Sequence, residues 1–165
     1  MKTIKLTKGK VALVDDEDYE RLNQYKWHAA QDREIWYAKR KSAKISGKQK
    51  TITMHREIMN ATKGVQVDHR NGDGLYNQKT NLRFCTHQQN QQNRKNPQKN
   101  NKLGIKGVRW DRNAKKFQAR ITIKGKQLYL GLFTVLADAD QAYRVAEIKY
   151  FGEFAREETK KLYSC

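Results

Sequence analysis

Short apolar runs separated by polar turns fill the first part of the chain and predict small strands around one helix. The apolar run at 11–14 indicates a strand. Asp15 follows it and is placed to cap the next helix, whose first turn carries more acidic residues that suit the positive helix end. Tyr19, Leu22 and Tyr25 recur at helical spacing, which gives this helix an apolar stripe.

Two further strands are predicted in this N-terminal extension, at 35–38 and 51–54, joined by a basic turn near Gly47. Trp27 and Trp36 could stack on nucleic-acid bases. We favour the alternative, packing in the core of a small domain, because large aromatic side chains supply much of the apolar area that such a core buries. The extension is therefore expected to be rich in strands.

The middle of the chain has the order strand, loop, strand, helix. A strand at 65–69 ends in two ionisable residues, and turn-forming residues follow at 71–74. A second strand is predicted at 81–85. Thr86, with Gln89 shortly after it, fits a capping box that opens a helix.

The last part of the chain predicts a sheet backed by a helix. A polar stretch at 94–103 contains the only proline, and we interpret it as a linker. Segments 107–110, 116–123 and 127–131 then predict a three-stranded antiparallel sheet. A helix follows, with Thr134 as its expected cap. Its small apolar face consists of Ala139, Ala142, Tyr143 and Ala146, and Gly152 lies just beyond its end. The small residues of this face would let the helix lie close on the sheet.

The charge of the chain narrows the class of partner. The chain carries 35 Lys and Arg against 17 Asp and Glu, a formal net charge of +18. An excess of this size points to a polyanion, most often nucleic acid. Residues 104–130 hold eight basic side chains and one acidic, whereas 131–165 hold five and six. The predicted sheet would therefore face the nucleic acid, and the helix would back it.

Other sequence features exclude competing classes. No segment pairs a basic face with a long apolar face, and no run of about 18 apolar residues occurs, so we expect no membrane partner. The first residues lack the apolar core of a signal peptide. Cys85 and Cys165 form no CxxC pair, which excludes a disulfide framework and a four-cysteine zinc site. A reducing, cytoplasmic setting is the expectation.

Asp68, His69 and Asn90 form the candidate chemical constellation. Histidine can take a proton from water near neutral pH, and carboxylate and amide oxygens suit a hard divalent cation. Because neighbouring strand residues point to opposite faces, Asp68 could hold the metal while His69 reaches the water. Two protein ligands leave positions open for phosphate and water. The alternative is that the polar residues are ordinary turn and helix-surface residues, namely Asn77, Asn81, Asn90 and Asn93.

Several short motifs, in order over residues 50–95, resemble the HNH endonucleases of phages and mobile introns. The matching residues are Met54, His55 and Arg56; Val67, Asp68 and His69; Asn71, Gly72 and Asp73; Asn77; Asn81, Leu82 and Arg83; and Gln89 and Asn90. In that family a ββα-metal (His-Me finger) fold carries the site. The resemblance therefore implies such a core within a nuclease region at 1–93.

This resemblance also implies a role for each matching position. His69 would be the general base, and Asp68 and Asn90 would bind the metal. The supporting positions are Asn81 as the brace of the loop, His55 and Arg56 in a phosphate-binding or site-supporting role, and Arg83 on a phosphate. The implied metal is Mg²⁺, with Mn²⁺ as the alternative. The cysteine pairs of zinc-binding relatives are missing, so no zinc is expected.

A second resemblance covers about residues 104–156 and concerns the plant Apetala-type (ethylene-response-factor) DNA-binding domain. The matching residues are Gly107, Val108, Arg109, Trp110, Ala119, Arg120, Ile121, Tyr129, Leu130, Gly131, Phe133, Ala142 and Tyr143. Those domains lay a three-stranded sheet in the major groove. Within a domain at 104–165, the resemblance implies DNA contacts at Arg109, Trp110, Arg112, Arg120 and Tyr129. Arg120 stands where the plant domains typically have glutamate. The alternative for Trp110 and Tyr129 is packing in the core.

Together these features predict an α+β protein in two parts, one that cuts double-stranded DNA and one that holds it. One site per chain favours a nick by a monomer, in the bacterial host cell of a phage or mobile element. Two other functions stay open. A DNA-binding regulator would not assemble the Asp68, His69 and Asn90 set. An RNA-binding protein would use its Trp and Tyr side chains as platforms for unpaired bases.

Overall fold

A computed structural model describes residues 1–93 and 101–163. The chain divides into two compact units, Met1–His87 and Gln88–Cys165. The predicted linker at 94–103 lies outside the described residues for most of its length. Several small antiparallel sheets and a few helices confirm the predicted α+β class. In the ranges just given, no helix is long and apolar enough to cross a membrane.

The first unit consists mainly of short strands. Its elements are β1 (Lys2–Lys5), β2 (Val11–Val14), α1 (Asp16–Asn23), β3 (His28–Asp32), β4 (Ile35–Lys41), β5 (Thr51–Thr53), α2 (Met54–Ile58), β6 (Gln66–His69), a 3₁₀ turn (Lys79–Asn81) and β7 (Leu82–Cys85). The strands form the antiparallel sheets β1–β2, β3–β4–β5 and β6–β7. The strands predicted at 11–14 and 35–38 are confirmed, whereas the strand predicted through residue 54 ends at Thr53.

One apolar core lies within this unit. Its buried members are Ile4, Ala12, Val14, Leu22, Trp27, Ala38, Met54, Ile58, Val67 and Leu82. Trp27 is 4% exposed, and its Nε1 donates to the carbonyl oxygen of Leu22 at 2.9 Å. The core interpretation of Trp27 is therefore confirmed. Trp36 is only half-buried, and the ammonium groups of Lys8 and Lys10 lie over its ring.

Asp15 occupies the N-cap position of α1, but its carboxylate makes no cap hydrogen bond there. The carboxylate instead accepts from the backbone N–H of Lys79 and from the side-chain amide of Gln78, both at 2.8 Å. The capping role predicted for Asp15 is therefore wrong. Its side chain fixes the start of the 3₁₀ turn that leads into β7, which a local sequence pattern could not reveal.

The second unit is a sheet backed by a helix. α3 (His87–Asn93) spans the boundary between the units, and it is followed by β8 (Val108–Asp111), β9 (Lys116–Ile123), β10 (Lys126–Phe133), α4 (Leu136–Phe151), a 3₁₀ turn (Gly152–Phe154) and α5 (Glu157–Tyr163). The antiparallel sheet has the order β10–β9–β8, and α4 packs across it. The strand predicted at 116–123 is confirmed. α4 begins after Val135, not Thr134, so the predicted cap is wrong, whereas Gly152 does end the helix.

An ionic cluster lies beneath α4. Glu147 is fully buried, and its Oε2 accepts from the Thr159 hydroxyl at 2.9 Å. Its carboxylate also lies 3.3 Å from Lys106 Nζ, 3.5 Å from Arg144 Nη1 and 3.6 Å from Arg156 Nε. A buried charge is tolerated only when it is paired and hydrogen-bonded, so this carboxylate holds α4, α5 and the segment before β8 together.

We expect Glu147→Ala to destabilise the second unit by about 3–5 kcal/mol, because removing one member of a buried ionic cluster leaves the other charges uncompensated. The measurement is urea unfolding of the full chain, followed at amide signals of the second unit. Asp138→Ala is the matched control, since Asp138 is exposed in the first turn of the same helix. Its cost should stay below about 1 kcal/mol. Equal effects of the two substitutions would contradict the role given to Glu147.

Candidate functional site

Asp68 and His69 lie side by side at the end of β6, and both are buried. β6 pairs with β7 so that Asp68 faces Arg83 and His69 faces Leu82 across the ladder. Arg83 donates from Nε at 3.0 Å and from Nη2 at 2.8 Å, both to Oδ2 of Asp68. The guanidinium predicted to contact phosphate therefore holds the Asp68 carboxylate.

His69 makes a buried hydrogen bond with a residue of the intervening loop. Its Nε2 lies 3.1 Å from Oδ1 of Asn77, which is fully buried. An amide oxygen only accepts, so Nε2 carries the proton and the lone pair of the neutral ring lies on Nδ1. Asn77 belongs to the HNH-like motif, yet the sequence indicated no role for it.

His69 belongs to a cluster of three rings with His55 and Tyr37. The His55 and His69 rings are in edge contact with centroids 4.9 Å apart, and the Tyr37 ring lies 5.7 Å from His55 and 6.0 Å from His69. The sequence did not reveal that Tyr37 belongs to this cluster, because an aromatic residue in a strand does not indicate which loop it will contact. Gly74 packs against the same strand: a Cβ there would lie 2.4 Å from the Trp36 carbonyl oxygen and 2.6 Å from the Tyr37 ring.

Burial keeps both histidines of the cluster neutral. It lowers the pKa of His55 to about 3, with smaller contributions from the positive charges of Arg56 and Lys39. Burial also lowers the pKa of His69, although the hydrogen bond to Asn77 opposes this shift. His69 is therefore in the proton-accepting form at neutral pH. Within the described ranges, Nδ1 of His55 has no hydrogen-bond partner.

The loop between β6 and β7 is fixed by Asn81. Its Oδ1 accepts from the backbone N–H of Asn71 at 3.1 Å. Its Nδ2 donates to Oδ1 of Asn71 at 2.9 Å and to the carbonyl oxygen of Tyr76 at 2.7 Å. These bonds join both ends of the loop that carries Asn77. Elsewhere in the motif, Arg56 donates to the carbonyl oxygens of Ala61, Thr62 and Val65, so its guanidinium holds the loop after α2.

The metal-ligand prediction concerns residues of different units. Asp68 lies on β6, whereas Asn90 lies on α3 and is half-buried. Their joint binding of a cation stays a prediction. Throughout 1–93 and 101–163, no group of three or more His, Cys, Asp and Glu side chains is assembled that could hold a metal ion. Burial raises the pKa of Cys85 to about 11, so its thiol is a poor nucleophile at neutral pH.

The predicted DNA contacts of the second unit divide between the two faces of its sheet. Arg120 lies opposite Tyr129 in the register, and Arg109 Nε donates to Oε1 of Gln118 at 2.8 Å. By strand alternation these residues share the face turned away from α4. Trp110 lies instead on the same face as the buried Val108, and its ring meets Phe117 with centroids 4.8 Å apart. Trp110 remains 47% exposed at the sheet edge.

A cleft of about 910 Å³ lies in the second unit. Its lining includes the basic residues Lys102, Lys106, Arg109, Arg112 and Arg120. The cleft is therefore strongly positive, which suits a phosphate backbone.

No protein-family model matches the chain, and no solved structure matches it. A similar protein is "Protein 3.8" of Escherichia phage T7. The two are 32% identical over 94 residues, which cover 57% of this chain and 76% of the phage protein.

We expect His55→Phe to flatten the pH dependence of folding. The pKa of His55 is about 3 in the folded chain against 6.5 in model peptides, so the unfolded chain binds the proton first and wild-type stability falls as the pH drops below 6.5. From pH 7.5 to pH 5 this histidine alone should cost about 2 kcal/mol, a loss that phenylalanine avoids. The measurement is urea unfolding of both proteins at the two pH values. Equal losses would contradict the buried, neutral state of His55.

Proposed function

The chain belongs to the family of phage T7 Protein 3.8, and we propose that it is a metal-dependent endonuclease of the HNH type that hydrolyses phosphodiester bonds in duplex DNA. The observation that carries the proposal is the state of His69. A neutral imidazole, held by Asn77 at one nitrogen, lies next to a carboxylate at the end of a strand. The loop beside it is braced by Asn81.

In the proposed reaction His69 is the general base. Its Nε2 is held by Asn77, so Nδ1 takes the proton from the attacking water. The Tyr37 and His55 rings pack against the imidazole and limit its rotation. Burial keeps the ring neutral, so the base is available without prior loss of a proton.

The donor atoms fit a hard divalent cation. Asp68 offers a carboxylate that Arg83 orients, and Asn90 offers an amide oxygen; Mg²⁺ prefers such ligands. Asp68 and Asn90 would hold the ion, with Mn²⁺ as the alternative metal. When bound, the cation supplies positive charge for the scissile phosphate and for the leaving oxygen.

The second unit would bind the duplex. The open face of its sheet carries Arg109, Arg120 and Tyr129, and the cleft beside it adds more basic side chains. Phosphate contacts from such residues supply affinity and orientation but little sequence information. One catalytic histidine per chain favours a monomer that nicks one strand. The proposed setting is the cytoplasm of a bacterial cell that hosts a phage or mobile element.

A second candidate function is DNA binding without chemistry. Two observations favour it: His69 is only 5% exposed, and Asp68 is already paired with Arg83. A regulator would keep both features as structural interactions. The two functions differ in one measurable respect, the cutting of DNA.

The deciding experiment incubates the protein with supercoiled plasmid, with and without Mg²⁺. We expect relaxed, nicked product only with the metal, and we expect His69→Ala to lower the rate by about 10²–10⁴-fold with little change in DNA affinity. His28→Ala is the matched control, because His28 lies in β3 outside the ring cluster. Absence of cutting by the wild-type protein, or wild-type rates in His69→Ala, would contradict the proposal.

Asn90 and Asn93 are neighbours on α3 and test the register of the metal site. Asn93 is buried, whereas Asn90 is half-buried. We expect Asn90→Ala and Asp68→Ala to raise the Mg²⁺ concentration needed for half-maximal nicking. Asn93→Ala should lower stability while leaving the metal response unchanged. A shifted Mg²⁺ response in Asn93→Ala, with a normal response in Asn90→Ala, would show that the ligand is the other asparagine.

The sheet face is tested by Arg109→Gln combined with Arg120→Gln. Each lost phosphate contact lowers the slope of log affinity against log salt by about 0.9, so the pair should lower it by about 1.8. The control combines Lys149→Gln and Lys161→Gln, two exposed lysines on α4 and α5. A salt titration of duplex binding gives both slopes. Equal slopes for the two pairs would place the duplex elsewhere.

A further inference from the structure

A lysine-rich hairpin connects β4 and β5, and nothing in the nuclease assignment accounts for it. Between Lys41 and Thr51 the chain carries four lysines: Lys41, Lys44, Lys48 and Lys50. No acidic residue occurs between Glu34 and Glu57. Most of this segment is exposed. We name residues 41–51 the lysine hairpin.

The hairpin has a defined backbone. Ile45 and Lys48 exchange both backbone hydrogen bonds, each at 3.0 Å. Ser46 and Gly47 between them have φ values of 49° and 75°, the left-handed pair that a tight type I′ turn requires. The twist of such a turn matches that of the flanking strands, so the tip continues the two-stranded ribbon.

A bulge is held in place halfway along the ribbon. Lys41 pairs with Thr51, whereas Ile45 pairs with Lys48, so the register shifts by one residue between them. Ser42 compensates for the shift: its hydroxyl accepts from the backbone N–H of Lys50 at 3.0 Å, and its own N–H donates to the Lys50 carbonyl oxygen at 2.9 Å. Bulges of this kind increase the twist of a ribbon.

The root of the hairpin is anchored to the first unit. Arg40, the residue before Lys41, donates to both carboxylate oxygens of Glu57 on α2, at 3.1 and 3.0 Å. Its guanidinium also stacks on Tyr25, 3.9 Å from the ring centroid. The lysines beyond it therefore extend from a fixed base.

An apolar side chain lies at the tip. Ile45 is 75% exposed. Lys44 precedes it in the chain, and Lys48 lies opposite it in the ribbon. A lone exposed isoleucine is unremarkable on a flat surface, but here it ends a basic ribbon. Aliphatic side chains at such positions contact base edges in nucleic-acid grooves, where the thymine methyl group is an apolar target.

Given the proposed function, we propose that the lysine hairpin enters the major groove of duplex DNA, with its lysines on the phosphates and Ile45 against the base edges. The major groove is about 12 Å wide and admits a two-stranded ribbon, whereas the minor groove is about 6 Å wide and does not without deformation. A-form RNA has a narrow major groove that side chains cannot read. Shape and charge together therefore select duplex DNA.

The position of the hairpin also limits where on the DNA it binds. β4 carries Tyr37 against His69 and runs on into the hairpin. At about 3.3 Å per residue, the eight residues from Tyr37 to Ile45 span at most about 26 Å. One turn of B-DNA is about 34 Å long, so the hairpin contacts lie within one helical turn of the cut.

The test measures binding of the full chain in EDTA, so that its outcome is independent of cutting. Lys44→Gln combined with Lys48→Gln should lower the salt slope of duplex DNA binding by about 1.8. The control combines Lys5→Gln and Lys63→Gln, two exposed lysines outside the hairpin, and should leave the slope nearly unchanged. Equal slopes for the two pairs, or the same loss on duplex RNA, would overturn the proposal.

The substitution Ile45→Ser tests whether Ile45 contacts base edges in the major groove. We expect wild-type protein to bind an alternating dA·dT duplex about fourfold more tightly than its dA·dU counterpart, the value of one buried methyl group. Ile45→Ser should bind the two duplexes equally. A thymine preference that persists in Ile45→Ser, or is absent in wild-type protein, would overturn the placement in the major groove. If the protein binds DNA in this way but never nicks it, the hairpin proposal stands and only the proposed nuclease activity is contradicted.

Discussion

The buried ion pair between Asp68 and Arg83 is the interaction on which the candidate site depends. It sets the register of β6 against β7 and fixes the Asp68 carboxylate on one face of the strand. Strand alternation then turns His69 to the other face, where it meets the Tyr37 and His55 rings. If the guanidinium were lost, an uncompensated carboxylate would remain in a buried position, and β6 would lose the contact that orients both of its ionisable residues.

The sequence patterns predicted those parts of the fold in which each residue's environment follows from its near neighbours. The strand at 116–123 alternates cleanly and was predicted with its observed ends. β1 was missed because only Ile4 is buried in it, so it shows no alternation. Asp15 looked like a helix cap because capping is read locally, but its partners lie more than sixty residues further along the chain.

For the candidate site too, the sequence predicted only what neighbouring residues determine. The HNH-like motif pointed to Asp68 and His69, which the strand does place together. It did not reveal Tyr37, whose position depends on how β4 packs against the β6–β7 loop. Arg109 and Trp110 are adjacent strand residues and so lie on opposite faces of the sheet, a division that alternation along the strand predicts.

Gly74 has a consequence for how substitutions in this chain should be interpreted. The Cβ atom of any other residue at this position would lie closer than van der Waals contact to the Trp36 carbonyl oxygen and to the Tyr37 ring. Every single-nucleotide change that replaces glycine introduces a side chain or a stop codon, so no substitution at this position avoids the clash. A map of mutational tolerance would therefore group Gly74 with His69, although one residue only makes room and the other is assigned the chemistry. Intolerance to substitution around this loop would therefore report packing as well as the proposed chemistry.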